Sequence, residues 1–136
     1  MLLLSKKWNL HKRIALFVLN NAGSNGASLI LGFMVTAAVI SMWVMNTATT
    51  IMLLPIGLAV ITVVKETVKG LSEKETENFQ LALLLGIAYG ATIGGMSTLI
   101  GTGPNGMLAA FMADNYGLDI SFVDWMKVGV PLSAVM

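Results

Sequence analysis

Cysteine is absent from this 136-residue chain, and charged residues are few. The lack of cysteine excludes disulfides, thiolate nucleophiles and thiolate metal sites. Only 11% of the residues are charged while 56% are hydrophobic, a composition far from that of soluble domains. Because the net charge is only +1, the chain has no strongly basic surface, and nucleic acid is not an expected partner.

The few charges leave two long segments of the chain uncharged. No Asp, Glu, Lys or Arg occurs in residues 14–64 or in residues 78–113. A spanning helix needs about 20 apolar residues. The first segment could therefore hold two crossings or one hairpin, and the second segment could hold a single long, interrupted crossing. With no acid or base there for hydrolysis or a proton relay, an enzyme is not expected. The sequence predicts an all-α membrane protein in contact with the lipid bilayer.

The first half of the chain is predicted to hold an interfacial helix and a helical hairpin. Residues 10–26 indicate the interfacial helix and a polar, glycine-rich loop after it. Residues 27–64 indicate the hairpin, with its polar tip at 45–50, because a single straight helix of that length would measure about 57 Å. Basic residues flank both ends, which places both ends in the cytoplasm. Two full crossings and a re-entrant hairpin both satisfy this pattern.

The second half is predicted to hold a broken transmembrane helix. Residues 65–78 are highly charged and indicate a cytoplasmic connection. Residues 79–116 indicate a transmembrane helix interrupted at about 95–105, where glycine, serine and threonine cluster. Small residues at 82, 86, 90 and 94 share one helix face and predict close packing against another helix. Residues 120–136 indicate the start of a further helix.

The two polar breaks are the candidate binding site. Unwound backbone in hydrocarbon is costly unless it is buried or lines a wet cavity. A broken helix offers N–H groups to anions at one end and C=O groups to cations at the other. Ser41 and the polar tip residues (Asn46, Thr47, Thr49 and Thr50) supply neutral oxygens that suit a hard cation such as Na⁺. The tip residues are also expected to N-cap the second helix of the hairpin.

The second break has the features of an anion-binding helix start. Thr102 or Gly103 could cap a helix whose first position is Pro104, where a missing N–H does no harm. The remaining N–H groups of that first turn would then be free for a carboxylate.

Several motifs resemble those of the divalent anion/sodium symporter (DASS) family, in order and at the family's spacing. They are LHKRIAL at 10–16, SMWVMNTATT at 41–50, MLLP at 52–55, ATIGG at 91–95 and TLIGTGPN at 98–105. The resemblance covers nearly the whole chain. It implies a sodium-driven carrier of dicarboxylates such as succinate, or of citrate or sulfate, with Na⁺ as coupling ion and no organic cofactor. It further implies the first of two inverted repeats, a homodimer as full-length protein, elevator-like movement, and residence in a bacterial inner membrane.

The resemblance also assigns residues. It implies that Na⁺ is bound by the side chains of Ser41 and Asn46 and by the backbone carbonyls of Met45 and Gly101. Substrate contacts are implied for Asn46, Thr47, Thr102, Gly103 and Pro104. One departure is that the family tip commonly reads Ser-Asn-Thr, whereas Met45 occupies the Ser position here. A backbone contact survives this change, but a hydroxyl contact does not.

Two other kinds of protein are compatible with the same pattern. A structural or assembly membrane protein would use the polar breaks and small residues only for helix packing. A channel subunit would conduct ions without saturation by substrate. Because the family carries a second hairpin and a second broken helix, we expect these 136 residues alone not to transport.

Overall fold

The computed structural model describes residues 26–68, 70 and 72–136, and within these residues it is all-helical. The predicted interfacial helix and loop at 10–26 lie outside the described residues, apart from Gly26 itself. The five helices are α1 (Gly26–Ser41), α2 (Asn46–Thr67), α3 (Glu73–Met96), α4 (Gly103–Tyr116) and α5 (Phe122–Val135). No strand occurs in the described part of the chain, so the predicted all-α class is confirmed.

A short turn at residues 42–45 joins α1 to α2. The carbonyl of Ile40 accepts hydrogen bonds from the N–H groups of Trp43 and Val44, which tightens the chain and ends α1. The predicted tip at 45–50 extended too far, because residues 46–50 already form the first turn of α2. Thr50 donates its hydroxyl to the Asn46 carbonyl, so this threonine is satisfied within the helix instead of in a loop.

The predicted N-cap of α2 is also corrected. The capping position is Met45, and no side chain caps the helix start. The side-chain oxygen of Asn46 instead accepts a hydrogen bond from Ser41. The amide groups of the first turn of α2 therefore lack the side-chain partner that a helix start usually has.

The charged stretch at 65–78 is mostly helical. Lys65–Thr67 is the end of α2, and α3 begins at Glu73 instead of residue 79. A capping box explains the early start: Ser72 accepts a hydrogen bond from the Glu75 N–H, and the Glu75 carboxylate accepts one from the Ser72 N–H.

The core lies where α1 packs against α3, with α2 alongside. The buried apolar side chains that form it are Leu29, Phe33 and Ala37 of α1, Leu53, Val60 and Ile61 of α2, and Leu83, Ile87 and Ala91 of α3. Three of the four predicted small residues face this contact, whereas Ala82 is exposed. A Cβ atom at Gly94 would overlap the Ala38 carbonyl oxygen, so the two helix backbones touch there.

The chain is non-helical from residue 97 to residue 102, between α3 and α4. Helix α4 ends at Tyr116, and the residue that caps it, Gly117, has the positive φ of 64° that is typical after a helix C-terminus. Ser121 is the N-cap residue of α5. Asp124, in the first turn of that helix, forms a salt bridge with Lys127 at 2.6 Å. The hydrogen bond from Lys127 lowers the pKa of the Asp124 carboxyl.

Within the described ranges, two helices are long and apolar enough to cross a bilayer: α2 over Asn46–Glu66, and α3. Helix α1 is apolar but shorter, with 16 residues.

Candidate functional site

Two of the non-helical segments, 42–45 and 97–102, lie against each other. The Thr98 hydroxyl donates a hydrogen bond of 2.6 Å to the Met42 carbonyl, joining residues 56 positions apart. The Thr98 side chain is fully buried. The site is therefore a junction between the hairpin turn and the break in the following helix.

Ser41 and Asn46 meet on the hairpin side of this junction. Ser41 is the last residue of α1 and Asn46 the first of α2, so the turn brings them face to face. The Ser41 hydroxyl donates to Asn46 Oδ1 at 3.0 Å, and Ser41 is fully buried. Two neutral side-chain oxygens thus lie side by side in the interior.

Gly95 connects this pair to the broken helix. A Cβ atom there would overlap Asn46 Oδ1, so only glycine lets the asparagine side chain rest on the backbone of α3. On its other side Gly95 touches Gly101, where an added Cβ would overlap the Gly95 carbonyl oxygen. Three predicted cation ligands, Ser41, Asn46 and Gly101, are therefore gathered around Gly95.

Gly101 itself is buried, and its amide is held in place. Its N–H donates to Thr98 Oγ1 at 3.1 Å, which is the same oxygen that donates to Met42. One hydroxyl thus ties the backbone of the break to the backbone of the hairpin turn.

The other predicted site residues lie towards the surface. Met45 is 58% exposed and Thr47 is exposed, while Thr102 is half-buried and Gly103 and Pro104 are exposed. In the described part of the chain, no side-chain hydrogen bond joins any of these five residues to Ser41 or Asn46. They occupy the starts of α2 and α4, where Thr102 is the N-cap residue but provides no side-chain cap.

The junction is made of uncharged groups. Residues 26–64 and 78–113, which contain both breaks, carry no Asp, Glu, Lys, Arg or His. Among the described residues no group of three or more His, Cys, Asp or Glu side chains could hold a metal ion. Hydroxyl, amide and carbonyl oxygens without formal charge can coordinate a hard monovalent cation, and uncapped helix starts can accept an anion.

Three residues of the junction had no predicted role: Gly95, Thr98 and Asn105. Asn105 lies in the first turn of α4 and is only 9% exposed. Its amide nitrogen donates to the carbonyls of Gly95 at 3.1 Å and Thr98 at 2.7 Å. The sequence signal for these residues is their polarity inside an uncharged segment, since a buried polar side chain requires a partner.

Comparison with known proteins decides the family. The family profile for citrate transporters (CitMHS) matches residues 2–136, almost the entire chain. This chain belongs to the citrate transporter family. The resemblance to sodium-coupled anion carriers is thereby confirmed.

Two curated relatives of this chain carry the same name, sodium-dependent dicarboxylate transporter. The chain is 42% identical over 132 residues to the sodium-dependent dicarboxylate transporter SdcS of Staphylococcus saprophyticus, covering 96% of this chain and 25% of the relative. Identity to the protein of that name in Staphylococcus aureus (strain USA300) is 39%, with the same coverage. The chain thus spans about a quarter of the length of these relatives. The relatives are transporters, not enzymes, and with the long apolar helices they identify an integral membrane protein.

Proposed function

We propose that this chain is part of a sodium-coupled carrier for dicarboxylates or another divalent anion. In this proposal it contributes one Na⁺ site and half of the substrate site. The observation that carries the proposal is the uncharged junction in which the buried Ser41 bonds to Asn46, and Asn46 rests on Gly95 beside Gly101. The curated relatives are named as sodium-dependent dicarboxylate transporters, which supports dicarboxylates as the substrate class and Na⁺ as the coupling ion.

The proposed cation ligands are the side-chain oxygens of Ser41 and Asn46 and the carbonyls of Met45 and Gly101. The Met45 carbonyl accepts a hydrogen bond from the Thr49 N–H at 3.0 Å, and its second lone pair can still face a cation. Four oxygens without formal charge suit Na⁺, which unwound backbone carbonyls coordinate in secondary transporters. A neutral site also avoids the cost of an unpaired charge inside the membrane when the cation leaves.

The proposed substrate half-site is formed by the starts of α2 and α4. Asn46 and Thr47 begin α2, and Thr102, Gly103 and Pro104 begin α4. Neither start has a side-chain cap, so the N–H groups of the first turn of α2 and the Gly103 N–H of α4 are available to one substrate carboxylate. The Asn105 N–H is not, because it donates to the Thr102 carbonyl at 3.2 Å. Bound Na⁺ next to these amides would favour the anion electrostatically, which provides a physical basis for coupling.

We further propose that α1 and α2 form a re-entrant hairpin instead of two full crossings. Helix α1 has 16 residues and is therefore about 24 Å long, short of the ~30 Å hydrocarbon core. Its end contacts the break at residues 97–102, in the interior of the second uncharged segment. An inverted second repeat, a homodimer, elevator-like movement and a bacterial inner membrane belong to the same proposal.

A structural or assembly protein is the alternative. The contact of Gly94 with α1 favours it, since packing alone explains a small-residue stripe. Packing does not explain why two polar side chains able to bind a cation, the buried Ser41 and the half-buried Asn46, bond to each other at a junction of two unwound segments.

The test is sodium-dependent succinate uptake by the full-length carrier in proteoliposomes. Asn46→Ala removes a proposed Na⁺ ligand and a substrate contact, so uptake is expected to fall at least a hundredfold, as for loss of about 3 kcal/mol of binding. Thr62→Val is the matched control, because Thr62 is exposed on α2 and bonds only to Leu58 of its own helix. Normal uptake by Asn46→Ala, with insertion equal to wild type, would favour the structural alternative.

A further inference from the structure

The C-terminus of α3 ends at the proposed cation site, yet its carbonyl groups are already occupied. A helix leaves its last four carbonyls without partners inside the helix, and here these belong to residues 93–96. The Gly94 carbonyl accepts a hydrogen bond of 3.0 Å from the N–H of Ser97, the residue that follows α3. The other three carbonyls accept side-chain donors from helices further along the chain.

These three donors come from α4 and α5. Asn105 Nδ2 donates to the Gly95 carbonyl at 3.1 Å. Trp125 Nε1 donates to the Met96 carbonyl at 3.1 Å. Ser133 Oγ donates to the Ile93 carbonyl at 2.8 Å. We call Asn105, Trp125 and Ser133 the capping triad of α3. Because every last-turn carbonyl has a donor, the negative end of the α3 dipole is largely neutralised before any cation arrives.

The capping triad also determines where the break lies. Asn105 binds both Gly95 and Thr98, so it bridges the end of α3 and the loop that follows. Gly95 supports Asn46, and Thr98 holds the amide of Gly101. A displacement of the end of α3 would therefore move the cation ligands on both sides of the junction.

Hydrogen bonds, and not dense packing alone, hold this region. A cavity of about 360 Å³ lies beside the triad and is lined by Met96, Asn105, Trp125 and Leu132, among others. The backbone of α5 approaches closely at Gly129, where an added Cβ would lie 2.7 Å from the Ser97 carbonyl oxygen. Loss of one donor would leave a buried or part-buried carbonyl without its partner and with room to move.

We infer that Asn105, Trp125 and Ser133 are positioning residues that set the cation affinity of the site without touching cation or substrate. The inference rests on the proposed function and adds to it a role for α5. It leaves the proposed cation ligands at Ser41, Met45, Asn46 and Gly101, and it gives the triad the separate task of holding the carbonyls at the end of α3 in place.

The experiment is a sodium titration of succinate uptake by the full-length carrier in proteoliposomes. Asn105→Ala is expected to raise the half-saturating Na⁺ concentration about tenfold, the factor that corresponds to about 1.4 kcal/mol. Trp125→Phe and Ser133→Ala each remove one donor while largely keeping side-chain volume, and we expect a severalfold rise for each. Maximal uptake at saturating Na⁺ should stay near wild type in these variants. Ser133→Thr keeps the hydroxyl, so its half-saturating Na⁺ concentration should be near that of wild type, unlike that of Ser133→Ala.

Asn115→Ala is the matched control, because Asn115 is exposed near the far end of α4 and its side-chain amide donates to the Phe111 carbonyl of its own helix. An unchanged half-saturating Na⁺ concentration in Trp125→Phe and Ser133→Ala would overturn the inference. A loss of maximal uptake with unchanged half-saturation would overturn it as well, since that pattern means less folded protein. If Asn105→Ala does not accumulate in the membrane, the other two variants decide.

Hydrogen exchange separates failure of this inference from failure of the proposed function. Should the wild-type carrier show no sodium-dependent uptake, the proposed function fails, and exchange of residues 97–102 tests the triad alone. Faster exchange there in Trp125→Phe than in Asn115→Ala supports the positioning role. Equal exchange in the two variants contradicts it.

Discussion

At the scale of single residues, the junction depends on neutral polar groups that satisfy one another. In the described part of the chain no buried side-chain nitrogen or oxygen lacks a hydrogen-bond partner. Ser41, Asn46, Thr98 and Asn105 therefore form an interior that is polar but not charged. Such an interior can release a cation into water without leaving a buried charge behind.

Met45 is the residue at which this chain departs from the family's usual tip. It occupies the N-cap position of α2 without a side-chain hydrogen bond. We expect Met45→Ser to stabilise the protein by about 1 kcal/mol, because a serine hydroxyl can accept an N–H of the first turn. Thermal unfolding of the purified carrier measures the change, and Met45→Ala is the control that removes the thioether without adding a hydroxyl. Equal stability of the two variants would show that no cap forms.

At the scale of helices, the contact between α1 and α3 positions the hairpin turn beside the break. Gly94 permits backbone contact one residue before Gly95, which supports Asn46. The packing face and the binding junction are thus consecutive parts of one helix. A change in helix spacing should alter the site without altering any proposed ligand.

Gly94→Ala tests this dependence. The added methyl group would overlap the Ala38 carbonyl, so we expect a loss of about 1–3 kcal/mol of stability and reduced uptake. Gly32→Ala is the matched control, because a Cβ there meets nothing within 4 Å. In the middle of α1 this control should gain about 0.5–1 kcal/mol. Denaturation of both variants in detergent measures the difference, and equal stabilities would contradict close helix contact in the full-length carrier.

At the scale of the whole molecule, this chain presents a site that is open on one side. Met45, Thr47, Gly103 and Pro104 are exposed, although the proposal assigns ion or substrate contacts to each of them. The curated relatives are about four times as long as the matched region. We propose that further chain in a longer carrier covers this side and completes the substrate site.

The isolated 136 residues are therefore expected not to transport. Liposomes containing only this chain should show no sodium-dependent succinate uptake, whereas liposomes with the full-length carrier should. The physical reason is that a substrate held from one side only remains exposed to water, which weakens each electrostatic contact. Saturable uptake by the isolated chain would contradict a half-site.

The sequence by itself determined the helical class, the family and the approximate position of both breaks. These follow from local features: long uncharged segments predict helices in a bilayer, and glycine with serine and threonine predicts where a helix stops. Helix boundaries were less accurate, because the capping box at Ser72 began α3 early and residues 46–50 joined α2. The tertiary structure alone decided which groups meet. The bonds from Thr98 to Met42 and from Trp125 to Met96 join residues 56 and 29 positions apart, and such contacts depend on how helices cross, which no local pattern specifies.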